Sequence, residues 1–167
     1  MATIDSGLIA NMVAEPRTLN QKKDHGRALV AAGTVALTAG EVVDNNIVRL
    51  ARLRSSDSIK SIKIFNDDLD TNCTPTLTAN VGLYKKDGTV VDEDCYATLV
   101  TALQGAVTVG TEVAFEARDI NAIGNELWQD GGVSADPDLE YDVCITFSAA
   151  AATAAAGDIS FIIEYMS

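Results

Sequence analysis

A single histidine, His25, is all the imidazole that 167 residues provide. Nucleophilic triads and Cys–His pairs need a histidine held rigidly by a third group. His25 sits instead in a polar stretch near the N-terminus that has no regular period. The three cysteines, Cys73, Cys95 and Cys144, lie far apart and make neither a CxxC pair nor a zinc spacing. They imply no disulfide framework or metal cage, and reduced thiols are expected. The glycines form no phosphate-binding loop. No run approaches the ~20 apolar residues that cross a bilayer. The start, "MATIDSGLIANMVAEP", has no basic segment followed by a long apolar core, so the chain is expected to be soluble and without a signal peptide. Aromatic residues are only 5%, which leaves Val, Ile, Leu and Ala to build the core around a few large anchors. The chain reads as non-enzymatic and needs no cofactor.

Basic residues are also scarce after the first third. Residues 64–167 hold only Lys85, Lys86 and Arg118 against eighteen acids, a balance of −15. Residues 1–63 hold nine Lys or Arg against six acids, a balance of +3, and the two sum to −12. An acidic body repels phosphate backbones, so nucleic acid is not an expected partner.

What is present is alternation. "LTANVGLYK" puts Leu77, Ala79, Val81 and Leu83 on one face; "YDVCITF" does so with Tyr141, Val143, Ile145 and Phe147. "ISFIIEY" repeats the pattern with Ile159, Phe161, Ile163 and Tyr165. A period of two makes strands with one buried face each. Further strands are predicted over Ala28–Leu37, Asn46–Leu53, Ile59–Phe65 and Gly110–Ala117. Asp87-Gly88 is a hairpin signal, because the turn needs a positive φ that glycine accepts. "DINAIGNELWQDGG" predicts a short helix between an Asp119 cap and Gly131. "DEDCYATLVTALQG" is ambiguous and reads as a helical turn after Asp92 or Asp94. The alanine-rich Ser148–Asp158 reads as a hairpin connection. Many short strands without βα alternation predict an all-β, antiparallel β-sandwich over 28–167, jelly-roll-like in preference to immunoglobulin-like.

Residues 1–27 lack any sustained period and read as an extended N-terminal arm. Leu8, Ile9, Met12 and Val13 would be its apolar anchors, and Arg17, Lys22, Lys23 and Arg27 its basic contacts for an acidic partner surface.

"FNDDLDTNC", Phe65 to Cys73, matches the first half of an EF-hand loop. Cys73 then replaces the required Gly and Ala79 the bidentate Glu, so that motif fails. Two readings stay open: a looser calcium site using Asp67, Asp68 and Asp70, or a polar loop whose Asn and Asp side chains close turns. Trp128 is either an end-seal of the sandwich or, with Tyr84 and Tyr96, part of a sugar-stacking surface. The acidic loops also leave a small hydrolase with paired carboxylates to weigh. Nothing marks one pair as having divergent environments, the feature such an enzyme needs.

The phrases "VALTAGEVVDNNIVRLARLRSSDSIKSIKIFNDDLD", "ANVGLYKKDGTVVDED", "AFEARDI" with "ELW", and the closing "SFIIEY" resemble small virion proteins of tailed bacteriophages. The resemblance spans roughly residues 28–166. It implies a head decoration (cement) protein, a sandwich module that binds the major capsid protein on the capsid exterior after synthesis in the host cytoplasm. It also implies self-association, with trimers as the expected state, and transfers no catalytic residue. A tail or fibre receptor- or glycan-binding module is the alternative.

Overall fold

The structure is a computed structural model and describes residues 27–167. The described residues form eight strands: β1 Leu29–Leu37, β2 Ile47–Arg54, β3 Ser58–Asn66, β4 Thr78–Lys85, β5 Val90–Val100, β6 Val107–Glu112, β7 Glu140–Ala149 and β8 Gly157–Met166. They form two four-stranded antiparallel sheets, one ordered β1-β8-β3-β6 and the other β2-β7-β4-β5. The pairs β1–β8, β2–β7, β3–β6 and β4–β5 are those of one long hairpin whose tip is the β4–β5 turn. Rolled up so that successive pairs fall in alternate sheets, this hairpin is a jelly roll. The expected all-β sandwich is therefore present, and its strand order is the preferred one.

The inward residues of both sheets meet in one core. Ile59, Ile62 and Ile64 of β3 and Ile159, Phe161 and Ile163 of β8 face Ala79, Val81 and Leu83 of β4 and Val143, Ile145 and Phe147 of β7. A bulge between Ile59 and Ser61 lets both Ile59 and Ile62 point inward despite their odd spacing. The hairpin signal holds: Gly88 takes φ +88°, its N–H donates to the Lys85 carbonyl, and Lys85 N–H donates to the Thr89 carbonyl.

Four expectations need correction. Residues 90–100 are strand, not a helical turn. The β4–β5 register slips three times, pairing Leu83 with Asp92, Val81 with Ala97 and Ala79 with Val100. Extra residues bulge out between those pairs, so buried Tyr96, Ala97 and Val100 acquire a spacing that mimics a helix. The bulge rides over Gly82, where an added Cβ would overlap the Asp92 carbonyl and the Glu93 backbone. β6 spans Val107–Glu112, beginning three residues before its predicted start and ending five before its predicted end, with Gly110 at φ +82° inside it and Val113 N–H still donating to the Ile62 carbonyl of β3. Ser148–Asp158 links β7 in one sheet to β8 in the other, so it is a crossover at the end of the sandwich and no hairpin. Lastly, β7 buries both faces. Asp142, Cys144 and Thr146 point away from the core yet are covered, by Arg52 forked onto Asp142 and by Tyr84, whose hydroxyl lies 2.7 Å from Thr146 Oγ1.

The predicted short helix resolves into two pieces. A 3-10 turn over Ile120–Gly124 is capped by the Asp119 carboxylate, which accepts from Asn121 N–H, and one α-helical turn, Leu127–Asp130, ends at Gly131.

Candidate interaction surfaces

The aspartate-rich loop after β3 closes one end of the roll. Asp70 is buried and both its carboxylate oxygens are occupied. Oδ2 accepts from the N–H groups of Thr76, Leu77 and Ala152, and Oδ1 from Thr153, all at 2.7–3.1 Å. Burial by itself would push this carboxyl up, but the four N–H donors together hold it well below the usual carboxylate range. Asp68 Oδ1 accepts from Asp70 N–H and Asn72 Oδ1 from Thr74 N–H, both local turn closures. Asp67 Oδ2 accepts from Asp158 N–H at the start of β8. The three aspartates thus bind backbone in three different places. Among the described residues no three His, Cys, Asp or Glu side chains come together as a metal site.

The aromatic candidates do not assemble either. Tyr96 is inside the core, and Tyr84 lies buried on the opposite face of its sheet against Thr146. Trp128 is half-buried against the core with its indole N–H donating to Glu126 at 2.7 Å. Together they offer no shared stacking surface. Tyr96 instead joins a buried charged cluster. Its hydroxyl donates to Asp130, which also accepts from Arg118 Nη1 at 2.6 Å, and the Arg118 guanidinium stacks on Tyr96 and Phe115 at 5.0 and 4.7 Å.

Burial pushes the Cys95 thiol up, and it raises the Cys144 thiol to about 12 with Asp142 adding to the shift. Both stay protonated, and Cys73 is the exposed one.

What the surface does carry is charge sorted by edge. β2, an edge strand, carries Arg49, Arg52 and Arg54, the first two turned onto Asp142 of β7 at 3.5 and 2.6 Å. Sequence reasoning assigned the basic character of the first 63 residues to the arm and missed this stripe. The signal was "RLARLR", arginines interleaved with apolar residues on a strand. β5, the opposite edge of the same sheet, carries Asp92, Glu93 and Asp94. An open cleft of about 790 Å³ lies where the β2–β3 turn, the β4–β5 hairpin and the loop before β7 meet. Arg54, Lys85 and Lys86 line it beside Asp87, Asp138 and Glu140, so it offers ion-pairing groups of both signs. Of the arm residues, Arg27 is exposed just ahead of β1, while Leu8, Ile9, Met12, Val13, Arg17, Lys22 and Lys23 lie outside the described residues. No helix among the described residues is long and apolar enough to cross a membrane.

No protein-family model matches the chain, and no curated protein is significantly similar to it in sequence. Solved structures with the same fold exist. A chain of the cyanophage Pam1 capsid asymmetric unit is 24% identical with a TM-score of 0.58, the match covering 84% of this chain and 85% of that one. A chain of the Ralstonia phage GP4 capsid is 20% identical with a TM-score of 0.62, covering 84% of each. At such identities the likeness establishes a shared fold.

Proposed function

We propose that this chain is a non-enzymatic structural protein of a phage virion, and within it a decoration (cement) protein that binds the major capsid protein on the outside of the head. The observation that carries the reading is the fold likeness to chains of two phage capsids, which takes in most of both partners. A jelly roll clamped by buried polar groups suits a part that must hold its shape on a shell. The charged edges suit contacts with neighbouring subunits.

In this reading residues 1–27 reach the shell. Leu8, Ile9, Met12 and Val13 anchor on it and Arg17, Lys22, Lys23 and Arg27 meet acidic capsid groups. An extended segment of this kind adds main-chain hydrogen bonds along a neighbour's exposed strand. Association into trimers would multiply weak single contacts by avidity. The glycan-binding alternative has less support, because Trp128, Tyr84 and Tyr96 share no exposed surface.

Deleting residues 1–27 tests the reading, since the deletion leaves all eight strands. The truncated chain is expected to melt as a folded sandwich and to stop co-sedimenting with purified capsids that bind the full chain. A truncated chain that still saturates capsids would defeat the arm. A full chain that never binds capsids would defeat the decoration role.

A further inference from the structure

We draw no further inference here: the strongest candidate, the uncharged and bulge-free edge strand β1 of the sheet β1-β8-β3-β6, carries nothing because nothing in the structure shows what covers its outer edge.

Discussion

Asp70→Asn is expected to destabilise the folded chain by about 3–5 kcal/mol, the range for leaving buried donors unmatched around a lost charge. Asparagine has the same shape but only one acceptor oxygen. If that oxygen keeps the donors from Thr76, Leu77 and Ala152, the amide N–H₂ must point at Thr153 N–H, donor against donor. The clamp is also what ties the loop before β4 to the β7–β8 crossover, helped by Thr71 N–H to the Thr153 carbonyl and Ala155 N–H to the Leu69 carbonyl. A domain of this size holds roughly 5–15 kcal/mol in all, so the melting temperature is expected to fall by about 10 °C. The pH dependence has a definite sign. The folded Asp70 carboxyl sits well below its unfolded range, so its stabilisation is complete above pH ~4 and drains away as pH falls further. Thermal melts of wild type and Asp70→Asn should therefore differ most near neutrality and converge in acid. Equal melting temperatures at pH 7 would show that the four hydrogen bonds contribute nothing net.

Arg118→Met is the other change expected to have a large effect. Arg118 and Asp130 are both buried side chains, and Arg118 Nη2 also donates to the Ile59 carbonyl at 2.9 Å. Methionine can fill the space over Tyr96 and Phe115 but leaves Asp130 as an unpaired buried charge. Breaking such a pair from one side costs about 3–5 kcal/mol. The pair itself is a poor source of stability. Burial already pushes the Asp130 carboxyl up against the opposing pull of Arg118 and the Tyr96 hydroxyl. That raised value makes stability from this group fall as pH climbs from the unfolded carboxylate range through the folded one, the reverse of Asp70. Adding Asp130→Asn to Arg118→Met removes the orphaned charge while keeping an acceptor for the Tyr96 hydroxyl. Denaturant titration is expected to show the double variant regaining a large part of the loss. A double variant as weak as the single would mean that packing of the guanidinium, and not charge, sets the penalty.

Which parts of this architecture could be read from the chain follows from where the backbone is regular. β4, β7 and β8 alternate without interruption on their core faces, so their inward residues were evident from period alone. β5 was hidden because its register slips rearrange the buried residues into a helix-like spacing. Strand order is set by contacts between residues far apart, and periodicity does not encode it. The aspartate loop was legible as turn chemistry, but not which aspartate was buried. The partners of Asp70 on the crossover, Ala152 and Thr153, lie more than eighty residues away in an alanine-rich stretch with no local signal. Arg118 did leave a trace, as the sole basic residue between Lys86 and the C-terminus. A lone cation in so acidic a stretch points to a specific carboxylate partner.

The decoration role is tested most directly by the copy number of this protein relative to the major capsid protein in purified particles, counted by quantitative mass spectrometry. A ratio near one, or a simple fraction of it that is constant between preparations, is the expected result, since a cement protein covers the whole shell. A handful of copies per particle, or none, would contradict it.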